Sequence, residues 1–138
     1  MRARSEDVSP SSDEAADALA EATARAELGR GAWHFLHRVA AAFDKAPTPA
    51  RVKEMETFFS LVGDFYPCPE CAAHFRQLLA EKPVKAQNNR VLSLWLCDIH
   101  NVVNGRLKKP LFPCTLDALK ERWGKCGCFD VPGNETRA

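Results

Sequence analysis

Prolines cut this chain into segments, and within each segment apolar residues return every three or four positions. Proline inside a helix removes a hydrogen bond and clashes with the preceding turn, so these residues mark the borders of helices. No proline intervenes from about Asp13 to Phe43, where Leu28, Trp33, Leu36, Ala40 and Phe43 fall at helical intervals. Pro47 and Pro49 end that helix. Thr48 suits an N-cap and Pro49 a first helical position, so a second helix runs to about Asp64 with Val52, Met55, Phe59 and Val62 along one stripe. A third starts at Cys68 and carries Phe75, Leu78 and Leu79 until Pro83 stops it. A fourth runs from about Asn88 to Gly105, where the glycine suits a C-cap. A short fifth, about Thr115 to Trp123, starts from a threonine cap and buries Leu116 and Leu119. No stretch shows the period-two alternation of a half-buried strand, and the spacing predicts an all-α helical bundle. Residues 1–12 read as a solvated tail, 13–128 as one domain and 129–138 as a flexible C-terminal tail.

Composition narrows the function. With 138 residues, 46% of them apolar, the chain suits one domain with its own core. A net charge of +1 gives no electrostatic signature for nucleic acid or an anionic membrane. No apolar run approaches the roughly 20 residues that cross a bilayer. The N-terminal stretch MRARSEDVSPSSDEA has no hydrophobic segment of the kind a secretory signal needs.

Cysteine is the informative residue: Cys68, Cys71, Cys97, Cys114, Cys126 and Cys128. In a reducing cytosol such spacings point to metal or redox work, and in an oxidising compartment to disulfides. Cys68-Pro69-Glu70-Cys71 lies where a helix begins, and free amides with the positive end of the helix dipole stabilise a thiolate there. Two intervening residues let both sulfurs meet across the first turn, which suits a reversible disulfide and equally half of a zinc site. A four-thiolate site would take Cys68, Cys71, Cys126 and Cys128, with Cys97 and His100 as alternates. Cys126-Gly127-Cys128 closes only a strained small loop, poor as a staple but suited to passing electrons on.

Two further clusters carry chemistry. Cys97, His100, Asn101 and Asn104 are three or four apart and share one face of the fourth helix, with Val91, Leu94, Trp95, Ile99 and Val102 around them. That face reads as an internal hydrogen-bonding cluster or as a polar wall for a heteroaromatic ligand. Trp33 and His37, four apart, project from one side of the first helix and suit either a core pair or one side of a planar cofactor.

Taken in order, Leu28-Gly29-Arg30-x-x-Trp33-x-x-x-His37, Tyr66-Pro67-Cys68-x-x-Cys71, Trp95-Leu96-Cys97-x-x-His100-Asn101-x-Val103-Asn104 and Lys109-Pro110-x-Phe112-x-Cys114 resemble the Erv/ALR flavin-linked sulfhydryl oxidases over roughly three-quarters of the chain. The resemblance implies a four-helix bundle cradling FAD with a short fifth helix, in a homodimer. It implies flavin contacts at Trp33, His37, Tyr66, His100, Asn101, Asn104 and Lys109, and also at Arg30, His74, Phe112 and Trp123. Cys68–Cys71 matches the active disulfide, with Cys68 the outer sulfur, and Cys97–Cys114 a structural bond whose closure contributes about 3 kcal/mol on the chain-entropy model. Cys126 and Cys128 resemble the shuttle pair of the family's endoplasmic-reticulum member. Lys108 stands where the family commonly has glycine.

The expected activity is oxidation of dithiols in protein substrates, with electrons passing from Cys126/Cys128 to Cys68/Cys71, to FAD and to oxygen as hydrogen peroxide, or to cytochrome c. No resident metal is expected. The expected location is an oxidising compartment: the mitochondrial intermembrane space for want of a signal, with the endoplasmic reticulum lumen as the alternative suggested by the CGC tail and Asn134-Glu135-Thr136.

Overall fold

The computed structural model describes residues 8–124; Cys126, Cys128 and the 129–138 tail lie outside them. The described residues form five helices and no strand: α1 (Ser12–Ala41), α2 (Pro49–Phe65), α3 (Pro69–Glu81), α4 (Asn89–Arg106) and α5 (Leu116–Trp123). The chain divides into two compact units, Met1–Ala32 and Trp33–Ala138.

The first unit is the N-terminal part of α1. Its start is a reciprocal capping box, in which the Glu14 amide donates to Ser11 Oγ at 3.2 Å and the Ser11 amide to Glu14 Oε2 at 2.8 Å. Alanine, glutamate and arginine then carry the helix on propensity, since its side chains up to Leu28 are exposed.

The second unit holds the bundle. Leu36 and Ala40 from α1, Phe43 from the α1–α2 connection, Phe59 from α2, Leu78 from α3 and Leu92, Trp95, Leu96 and Ile99 from α4 make one buried core. Each helix after α1 is started by the side chain at its cap: Thr48 accepts from the Arg51 amide, Asn88 from Val91 and Thr115 from Ala118. Trp95 stands edge-on to Phe59, and its indole N–H donates to the Lys82 carbonyl at the end of α3, 3.1 Å away. Between α2 and α3, Gly63 lets the backbones approach; a Cβ there would lie 3.0 Å from Arg76 Cγ, and the Arg76 guanidinium donates to the Gly63 carbonyl. Buried Asp44 accepts from the Arg51 side chain and its carbonyl from the Asn89 amide, tying the α1–α2 connection to the start of α4.

Two details differ from expectation. The fifth helix buries Leu119 and Trp123, whereas Leu116, 36% exposed, sits in its first turn facing out. Gly105 does not cap α4: the helix passes through it to Arg106, Leu107 caps, and Lys108 turns left-handed at φ 56°. The Lys108 amide donates to the Gly105 carbonyl and the Lys109 amide to the Asn104 carbonyl, the paired bonds of a Schellman turn. Lysine thus occupies the position that glycine fills most easily.

A left-handed backbone costs an L-residue roughly 1–2 kcal/mol, and glycine gives back roughly 0.5–1 kcal/mol through its freer unfolded chain. Lys108→Gly should therefore stabilise the fold by about 0.5–1 kcal/mol, read as a higher urea midpoint at unchanged slope. An unchanged or lower midpoint would refute this account of the turn.

Candidate active site

The side chains singled out on α1 and α4 meet. Trp33 and His37 lie one turn apart on α1, and Trp33 stacks on His100 of α4 with ring centroids 3.9 Å apart and planes 9° from parallel. His37 Nε2 and His100 Nδ1 are 2.9 Å apart, so one imidazole donates to the other. On its far side His37 stacks on Trp123 of α5, at 4.4 Å and 5°. The guanidinium of Arg122 lies over the Trp123 ring at 4.0 Å and that of Arg38 at 5.6 Å. Three helices thus build one aromatic wall: two stacked pairs, Trp33 on His100 and His37 on Trp123, joined by the hydrogen bond between the imidazoles.

Burial makes this wall neutral at its centre. His37 is 3% exposed. Burial first, then electrostatic interaction with His100, Arg122, His34 and Arg38, pushes its pKa down to about 3. His100 is driven down to about 4 by burial, then Lys109 and Arg122. Both rings are uncharged at physiological pH, and the charges acting on them are cationic. An uncharged aromatic wall with a positive rim suits a planar group that carries an anion.

The remaining predicted contacts sort by place. The charge of Lys109 is one of the causes that lower the His100 pKa. Tyr66, half-buried, immediately precedes Pro67-Cys68, and burial raises its phenol pKa. His74 is half-buried one turn beyond Cys71 on α3. Arg30 is an exposed residue of the N-terminal unit. Asn104 is 9% exposed and its amide donates to Asn101 Oδ1 at 3.3 Å. Asn101 itself is taken up by Phe112, accepting from its amide and donating to its carbonyl, both at 2.8 Å. Sequence reasoning missed Arg122, Arg38 and His34. A charged neighbour of a tryptophan carries no signal until α5 is seen to lay Trp123 against His37.

Four of the six cysteines lie among the described residues, and they form two disulfides. Cys97 and Cys114 form a disulfide, Cα atoms 5.8 Å apart, beside a small core of Leu119 and Trp123 that fixes α5. Cys68 and Cys71 form the other, Cα atoms 5.3 Å apart. Cys68 is the N-cap of α3, and its Sγ accepts from the Cys71 amide at 3.4 Å. In this oxidised state neither pair offers a metal a thiolate. As whole residues, Cys68 is 7% exposed and Cys71 is exposed. Cys126 and Cys128 lie outside the described residues.

The profile of the Erv1 / Alr family matches residues 30–124. The chain belongs to this family. Among Erv1 / Alr relatives, the chain is 40% identical over 81% of its length to FAD-linked sulfhydryl oxidase ERV1 of Oryza sativa subsp. japonica, covering 57% of that protein. It is 37% identical over 78% to FAD-linked sulfhydryl oxidase ERV2 of Saccharomyces cerevisiae, covering 53%. It therefore spans little more than half of these relatives. The crystal structure of the FAD binding domain of Erv1 from Saccharomyces cerevisiae superimposes with a TM-score of 0.68 at 35% identity, covering 72% of this chain and 92% of that one. The Erv1 / Alr core is thus an all-helical bundle shared with this chain.

The neutral imidazoles predict a pH dependence. Their folded pKa values lie below the unfolded value near 6.5, so the unfolded chain binds more protons in between and stability rises with pH across that window. Melting temperature should fall from about pH 6.5 towards pH 4, and His37→Asn should flatten the slope. An identical slope in the variant would show that His37 is not held neutral.

Proposed function

We propose that this chain is an FAD-dependent thiol oxidase that makes disulfides in protein substrates. One observation carries the reading: a disulfide capping a helix start, Cys68–Cys71, in the same bundle as a neutral four-ring wall rimmed by cations. The chemistry of the side chains fits the cofactor. Trp33, His100, His37 and Trp123 supply an uncharged aromatic surface, and Lys109 and Arg122 supply positive charge for a diphosphate. When bound, FAD would supply a two-electron acceptor that passes its electrons to oxygen, giving hydrogen peroxide, or to cytochrome c.

The chain's own part is sulfur exchange. A substrate dithiol gives its electron pair to Cys126–Cys128, whose thiolate then breaks Cys68–Cys71. The start of α3, where an amide already meets Cys68 Sγ, lowers the cost of the thiolate that exchange releases. The wall stays uncharged throughout, so no ring of it competes for the protons of the thiols.

Two proposals concern surroundings. Exposed Phe35, Leu61 and Phe65, with Phe58 edge-on to Phe35, make an apolar stripe on α1 and α2 that supports a homodimer; Leu61→Glu should then sediment as a monomer, and a wild-type monomer removes the reading. Two disulfides call for an oxidising compartment. We place the chain in the mitochondrial intermembrane space, with the endoplasmic reticulum lumen as the alternative; a relative from Schizosaccharomyces pombe is named a mitochondrial FAD-linked sulfhydryl oxidase, and it is 44% identical. No helix among the described residues is long and apolar enough to cross a membrane.

Cys71→Ser should keep FAD and lose dithiol oxidation at least a hundredfold, measured as oxygen uptake with dithiothreitol. Turnover that survives would remove the Cys68–Cys71 centre from the account. Cys126→Ser should leave dithiothreitol oxidation near wild type and slow reduced protein substrates about tenfold or more, on the scale of a lost exchange step. Equal effects on both substrates would rule out a relay.

A further inference from the structure

Asn101 was expected to touch the flavin, and the structure gives its amide other work. A side-chain amide has two N–H donors and an oxygen with two lone pairs. Asn101 Nδ2 donates to the Phe112 carbonyl at 2.8 Å and lies 3.3 Å from Cys114 Sγ; Oδ1 accepts from the Phe112 amide at 2.8 Å and from Asn104 Nδ2 at 3.3 Å. All four capacities are used inside the protein. The two Phe112 bonds copy the exchange of N–H and C=O between paired strands, with a side chain standing in for one of them.

These bonds matter because of what lies beside them. Lys109 is three residues before Phe112, and its own amide is held by the Asn104 carbonyl at 2.8 Å. Only Pro110 and Leu111 separate the two anchors, and the proline ring fixes one torsion of that short link. The backbone of Lys109 is therefore clamped from both sides by residues of one turn of α4. From there its ammonium acts on His100 in the wall.

We propose that Asn101 is a positioning residue: its amide staples the Lys109–Cys114 segment to α4, so that it acts on a bound dinucleotide through Lys109 and does not touch it. The proposal rests on the cofactor reading above and assigns one residue within it.

A mutant cycle on the full FAD-loaded chain tests it, with the FAD dissociation constant read from flavin fluorescence. Lys109→Met and Asn101→Ala should each weaken FAD binding, each by about tenfold, the scale of one charge-assisted contact. The double variant should be no more than about twofold weaker than the worse single one, because both remove the same contact. Losses that multiply to about a hundredfold would show Asn101 contacting FAD independently and overturn the proposal. Hydrogen exchange at the Phe112 amide supplies a reading independent of cofactor: Asn101→Ala should speed it at least tenfold, and unchanged protection would overturn the staple. If Asn101→Ala does not fold, Asn101→Asp takes its place in the cycle and keeps an acceptor for the Phe112 amide. A wild-type chain that holds no FAD would end the cofactor reading, and the exchange rate would still decide whether Asn101 holds this segment.

Discussion

Two imidazoles that stay uncharged join the first, fourth and fifth helices. His37 and His100 share a hydrogen bond across the α1–α4 boundary, and each presents its flat face to a tryptophan, Trp123 and Trp33 respectively. The bond needs one ring to donate and the other to accept, which two imidazolium rings cannot do, as both carry donors only. Burial and the surrounding cations enforce the neutral state. The same constraint makes the wall chemically useful. An uncharged heteroaromatic surface stacks on a planar ring, while the cations that keep it neutral sit where an anion is welcome.

The two disulfides divide the remaining labour according to their surroundings. Cys97–Cys114 lies next to Leu119 and Trp123, so it holds α5 against α4 and with it the last aromatic layer. Cys68–Cys71 closes only the first turn of α3, where its rupture disturbs little of the core and the helix start favours thiolate over thiol.

Much of this was legible because proline, threonine and asparagine act locally. Thr48 and Thr115 cap the helices expected of them, α4 starts beside Asn88 as expected with that asparagine as its cap, and the α1 and α4 residues chosen by three- and four-residue spacing do meet. What escaped notice depends on distant partners. Gly105 looked like a stop signal, yet nothing crowds its α-carbon and the helix runs on to a left-handed lysine, held there by bonds back to Gly105 and Asn104. Leu116 has helical spacing but lies in a first turn that leaves it 36% exposed. Asn101 reads the same in sequence whether it faces a ligand or a neighbouring backbone; only the location of Phe112 distinguishes them.

The most direct test is the visible absorption spectrum of the purified wild-type chain, followed by denaturation and identification of whatever is released. The account predicts a yellow protein with about one FAD per chain, bleached by dithiothreitol without oxygen and restored by air. A colourless protein that acquires no colour when supplied with FAD would contradict it.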